Sequence, residues 1–149
     1  MSSLKKIMAE ISILFAYPKN IIFLLSRLLL AYGFATPALL KINNIEATAV
    51  WFGSVSIPFP LLFSYLVSGI EVLGIVLLIL GLFTRQISVL LSFIMFGAVF
   101  FVHWEHGFAV ANNGFEIPLY YLAFLLLFAT FGAGKYSLDY LFFKDGTHE

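Results

Sequence analysis

The chain has 149 residues, of which 62% are hydrophobic and only 11% charged, with a formal net charge of zero and no cysteine. A water-facing domain carries about 25% charged residues, so this composition excludes an ordinary soluble surface, and the mean hydropathy of +1.02 points to lipid as the solvent. Without cysteine there are no disulfides, thiolate metal sites or thiol redox chemistry from the chain itself, and no basic block suggests nucleic acid.

In chain order, Lys5 and Lys6 precede an apolar run, Ile7–Ala16, that Glu10 and Ser12 interrupt. No small-x-small cleavage site follows before Tyr17-Pro18, so residues 4–16 are expected to form an interfacial amphipathic helix on the cytoplasmic leaflet and not a signal peptide. A membrane span needs about 20 apolar residues. Four stretches approach that length: Ile21–Leu40, Phe59–Phe83, Ile87–His103 and Ile117–Gly134. Residues 41–58 are expected to be a long polar-aromatic loop, Thr84-Arg85-Gln86 a tight hairpin, and residues 104–116 a loop rich in glycine and asparagine. The predicted fold is all-α: one domain over residues 1–149, a transmembrane antiparallel four-helix bundle with a short N-terminal interfacial helix. The positive-inside rule orients it. Lys5, Lys6, Lys19, Arg85, Lys135 and Lys144 fall on one side and Lys41 on the other, which puts both termini in the cytoplasm.

Stripes of small or polar residues at helical spacing mark the faces expected to pack together, because small residues let helices approach closely in lipid. They are Arg27, Ala31, Phe34, Ala38 and Lys41 in the first span, and Ser64, Ser68, Glu71 and Gly74 in the second. In the third they are Ser88, Ser92, Val99 and His103, and in the fourth Glu116, Tyr120, Ala123, Thr130 and Gly134. A charge at the bilayer centre costs about 3 kcal/mol even on the lenient insertion scale, so Arg27 and Glu71 are expected to turn inward. An arginine about 9 Å inside the membrane boundary is within reach of Glu71, which makes an Arg27–Glu71 ion pair the structural expectation. Snorkelling of Arg27 to the inner headgroups is the other outcome.

Glu71, His103 and Glu116 all fall in the outer half of the bundle, with His106 and Tyr120 nearby. They predict a polar pocket open to the outside for a small polar or amphipathic ligand. His103-Trp-Glu-His106 would place two imidazoles on one helical face, and with Glu116 they would supply three ligands to a divalent metal. No complete H-E-x-x-H motif is present, so this set is the weaker alternative to a site without metal. No serine or threonine has a base beside it in sequence, and no glycine-rich phosphate loop is present. A quinone needs an apolar slot and one or two polar groups, which Arg27, Glu71 and His103 could supply.

Several short pieces, taken in order, resemble the DoxX family of small bacterial membrane proteins over nearly all of residues 20–142. They are Arg27-Leu-Leu-Leu-Ala with Phe34 and Lys41; Glu71-Val-Leu-Gly74; Leu80-Gly-Leu-Phe-Thr-Arg85; His103; Gly107-Phe108; Asn113-Gly-Phe-Glu116; and Gly132-Ala-Gly-Lys-Tyr-Ser-Leu-Asp139. The resemblance implies a four-helix inner-membrane protein linked to respiratory or stress-related redox systems. Some members are named as subunits of quinol oxidase or of thiosulfate:quinone oxidoreductase, and others accompany redox or metal-related partners. The leading expectation is a non-catalytic accessory subunit of a quinone-linked oxidoreductase, paired with a redox partner protein and binding a ligand, quinone included, through Arg27, Glu71, His103 and Glu116. Two alternatives stand beside it. One is a proton-coupled carrier of a small solute, which with so few spans would need to be a homo-oligomer. The other is a membrane scaffold for a redox or metal-related partner.

Overall fold

A computed structural model of the protein describes residues 3–145. Among them there are seven α-helices and no strand. Helix α1 is Ser3–Ala16, α2 Lys19–Asn43, α3 Ile45–Ser54, α4 Pro60–Leu80, α5 Thr84–Gly97, α6 Glu116–Phe131 and α7 Leu138–Phe143. Helix α5 continues through a π-helical segment, Ala98–His103, and a 3₁₀ turn, Trp104–His106. Three helical segments are long and apolar enough to cross a membrane: Lys19–Asn43, Pro60–Leu80 and Thr84–His106. Helix α6 is a shorter apolar helix of 16 residues.

The first departure from expectation lies in residues 41–58, where the expected loop holds the ten-residue helix α3. Asn44 makes the break. Its extended φ of −146° ends α2, and its side-chain Oδ1 accepts from the Ala47 N–H at 3.0 Å to start α3, as an asparagine cap does. Helix α3 then buries Thr48 and Phe52.

The second departure is the turn after α4. The hairpin falls at Gly81–Phe83 and not at Thr84–Gln86, so α4 stops at Leu80 and α5 starts at Thr84. Gly81 takes the left-handed conformation (φ +65°) that ends a helix. The orphan N–H groups of Phe83 and Thr84 donate to the Asp139 carboxylate at 2.7 and 2.8 Å. The cap that fixes the start of α5 therefore comes from 55 residues further along the chain.

The inward faces of α2, α4 and α5 follow the expected stripes. Arg27, Ala31, Phe34 and Ala38 are buried, as are Ser64, Ser68, Glu71 and Gly74, and Ser88, Ser92 and Val99. A Cβ on Gly74 would lie 2.8 Å from Leu91 Cδ1, so the small residue permits the close approach of α4 and α5. Helix α6 is different. Ala123 and Thr130 are exposed, and its buried residues are Pro118, Leu125 and Phe128. It has no deep charge that must avoid lipid, so large apolar side chains decide its inward face by filling the space beside Leu78, Ile87 and Leu91. Outward faces are apolar, with Leu29, Leu73 and Phe93 among the exposed residues.

Candidate ligand cavity

At one pole of the helices, Arg27 is 1% exposed and donates from Nη1 to the Ala133 carbonyl and from Nη2 to the Tyr136 carbonyl, both at 2.8 Å. The same pole holds Gly81, whose carbonyl accepts from the Asp139 N–H at 2.8 Å. Arg85 pairs with Asp145 at 2.9 Å and also donates to the Ala129 and Thr130 carbonyls. Arg27 and Asp139 thus fasten the segment after α6 across the α4–α5 turn. Arginine suits the task because its planar fork serves two acceptors at once.

Glu71 is paired elsewhere, so the expected Arg27–Glu71 bridge does not form. Its carboxylate, 2% exposed, accepts from Lys41 Nζ at 2.7 and 3.0 Å. Lys41 lies one helical turn beyond Ala38, in the last turn of α2, where its charge also suits the helix dipole. Its Nζ lies 3.4 Å from the Pro37 carbonyl. Thr48 of α3 donates its hydroxyl to the carbonyls of Lys41 and Asn44, so α3 covers the pair.

The ion pair lines a cavity of about 1140 Å³. Its walls come from α2, α3, α4, the α5 extension and the start of α6, and they are mainly apolar: Phe34, Trp51, Phe52, Ile70, Ile94 and Tyr121 are among them. Phe63, Leu66, Phe93, Phe96 and Phe101 line it and are also exposed on the outer surface. The exposed part of the lining is mostly apolar and also includes Asn44 at the α2–α3 break and Asn113 in the loop after His106. The lining is far more apolar than that of the polar pocket expected from the sequence. The chain is too poor in polar residues to line such a volume with them.

His103 lies on the cavity wall at the end of the π-helical segment, a feature often found at functional sites. Its Nδ1 is 2.7 Å from the Asn113 carbonyl oxygen. Of the four expected ligand residues, Glu71 and His103 thus share the cavity, and Arg27 and Glu116 are not among its lining residues. Glu116 instead accepts from the Val110 N–H at 3.0 Å and the Tyr120 hydroxyl at 3.1 Å. The metal alternative fails on geometry: among the described residues no three His, Asp or Glu side chains come together as a metal would need. His106 belongs to the 3₁₀ turn and not to the helix carrying His103, so the two do not share a helical face.

A model of the DoxX family matches residues 22–104, which span Arg27, Lys41, Glu71 and His103. The chain belongs to the DoxX family. It is a membrane protein, and its apolar helices contact lipid. An uncharacterized protein of Haemophilus influenzae is 33% identical over 129 residues, covering 81% of this chain and 83% of the relative. The Bacillus subtilis protein named "Putative oxidoreductase CatD" is 31% identical, covering 81% of this chain and 87% of its own. The Escherichia coli inner membrane protein YphA is 28% identical, covering 84% and 93%. No solved structure matches the chain.

Within this DoxX protein, sequence reasoning missed two of the partners that matter. Lys41 was visible at the end of the first stripe as the only basic residue expected on the outer side, but Glu46, Glu105 and Glu116 were expected on that side too, and nothing local selected Glu71 as its partner. Asp139 carried no local signal, because its role depends on where the chain returns after α6.

Proposed function

We propose that this DoxX protein is an inner-membrane accessory subunit of a quinone-linked redox system. In this reading it holds a lipid-soluble ring compound of the quinone class in the Lys41–Glu71 cavity. The observation that carries the proposal is the nature of the lining: about 1140 Å³ of largely apolar space with Phe63, Leu66, Phe93, Phe96 and Phe101 exposed beside it and the polar groups Glu71, Lys41 and His103 on its walls. Ligand sites combine apolar walls with a few placed polar groups in this way. A ligand filling such a lining must itself be largely apolar, which favours a quinone over a hydrophilic solute. The oxidoreductase name of the Bacillus subtilis relative agrees with a redox setting, and the name of the Escherichia coli relative agrees with the inner membrane. The sequence holds no motif for a resident electron carrier, so a partner protein exchanges electrons with the bound ligand.

The bundle suited to this role has four spans in antiparallel order, α2, α4, α5 with its extension, and α6, with α3 covering the outer end. The Arg27 pole faces the cytoplasm, since Arg85, Lys135 and Lys144 gather there and the positive-inside rule applies. Helix α1 lies along the inner leaflet, with Leu4, Ile7, Met8, Ile11, Leu14 and Phe15 exposed on one stripe.

The test is mass spectrometry of lipid extracts from protein purified in mild detergent, compared with a Gly97→Phe variant. Gly97 lines the cavity, and a Cβ there meets no atom within 4 Å, so a larger side chain can begin at this position without a clash. A quinone-class molecule is expected with the unaltered protein and not with the variant. Equal recovery from both, or none from either, would sink the reading.

A further inference from the structure

His103 is held by the loop that follows it. The Asn113 carbonyl oxygen, 2.7 Å from Nδ1, has lone pairs and no hydrogen to give. In the neutral ring the proton must therefore sit on Nδ1, which leaves Nε2 with a free lone pair. The loop is built to keep that carbonyl in place. Asn113 is left-handed (φ +61°), a conformation asparagine tolerates. Gly114 is packed so tightly against the Gly107 carbonyl that a Cβ would overlap it. The N–H groups of Gly114, Phe115 and Glu116 donate to the carbonyls of Ala109, Gly107 and Phe108, each at 3.0 Å. Glu116 closes the loop by accepting from the Val110 N–H, which makes it a positioning residue for His103.

Two other polar groups on the wall have their donors occupied. Lys41 directs its ammonium at both Glu71 oxygens and the Pro37 carbonyl. Thr48 directs its hydroxyl at backbone carbonyls. The Tyr121 hydroxyl is tucked against Gly33, and Asn44, Trp51 and Asn113 are exposed. His103 Nε2 and the Glu71 carboxylate offer a ligand lone pairs and no donor, whereas the Tyr121 hydroxyl on the same wall both donates and accepts.

We infer that the cavity selects the hydrogen-bond-donating form of its ligand, a hydroquinone or phenol, with His103 Nε2 accepting from a ring hydroxyl. This rests on the cavity taking a lipid-soluble ring, as proposed above. A quinone carbonyl facing the same atoms meets lone pairs with lone pairs and gains no hydrogen bond. His103 is thus a specificity-determining residue. Tighter binding of the reduced form also raises the midpoint potential of the bound couple, by about 30 mV for each tenfold preference in a two-electron couple.

The experiment uses the full chain in lipid nanodiscs under anaerobic conditions, with 2-methyl-1,4-naphthoquinone and its dithionite-reduced hydroquinone as probes and protein-free discs to subtract partitioning. The hydroquinone is expected to bind at least tenfold more tightly. His103→Phe should bring it down to the level of the quinone. A measurement on the unaltered protein guards against a variant that does not fold: ¹⁵N resonances of histidine-labelled protein should show the His103 proton on Nδ1, with Nε2 shifting on addition of hydroquinone and not of quinone. Equal binding of both forms, abolished for both by Gly97→Phe, would overturn the selectivity and leave the lipophilic cavity standing. A proton found on Nε2 would overturn it as well. Absence of binding by either form would end both proposals.

Discussion

Lys41 Nζ contacts both carboxylate oxygens of Glu71, at 2.7 and 3.0 Å, across a separation of 30 residues in the chain. The pair joins the end of α2 to the middle of α4 beside the cavity. Removing one member of such a pair leaves the other charge stranded in a medium of low dielectric. That costs about 3–5 kcal/mol when the site is fully buried, and less here because Lys41 keeps 17% exposure.

Lys41→Met is therefore expected to destabilise the protein by about 2–4 kcal/mol, shifted below that range by the partial exposure. The double variant Lys41→Met, Glu71→Gln should recover more than half of the loss. Thermal unfolding in detergent of the two singles and the double completes the cycle. Additive losses would show that the two residues act independently.

Asp139 is 4% exposed and accepts from two N–H groups that begin α5. Hydrogen bonds to a charged acceptor contribute about 1.5–3 kcal/mol each. Asp139→Ala is expected to cost about 2–4 kcal/mol, and Asp139→Asn about half as much because one amide oxygen remains. Hydrogen exchange at Phe83 and Thr84 is the direct check, since those two amides should lose protection first. Unchanged exchange there would mean that the cap does not hold in solution.

Gly33 and Gly97 both line the cavity but differ in the space around them. A Cβ on Gly33 would overlap the Tyr121 hydroxyl, whereas one on Gly97 would meet nothing within 4 Å. Gly33→Ala is expected to destabilise by about 1–3 kcal/mol, as overpacking does, with partial recovery when Tyr121→Phe removes the oxygen. Gly97→Ala should be neutral or slightly stabilising. Equal melting temperatures for the two alanine variants would refute this account of the packing.

The proposed orientation is open to a clean test because the chain has no cysteine. Lys135 and Val110 are exposed, in the segment after α6 and in the loop after His106 respectively. In intact cells, Val110→Cys is expected to react with a membrane-impermeant maleimide. Lys135→Cys should react only after the cells are broken. The reverse pattern would turn the protein over and move the cavity to the cytoplasmic half.

Much of this protein could be read from residue order alone, for a physical reason. Lipid tolerates few polar groups, so where one occurs at helical spacing, as at Arg27, Ser64, Ser68, Glu71, Ser88 and Ser92, its face must turn inward. The same constraint made the long apolar helices legible, and with them the all-helical class. Contacts between distant parts of the chain were another matter. Which acid meets which base was decided by helix packing, which set Lys41 and not Arg27 beside Glu71 and sent Arg27 to the carbonyls after α6. The inward face of α6 was decided by shape, because apolar side chains fill space without a polar signature. The cap on α5 and the proton position on His103 depend on Asp139 and the Asn113 carbonyl. Those partners arrive through chain reversals that no local pattern encodes.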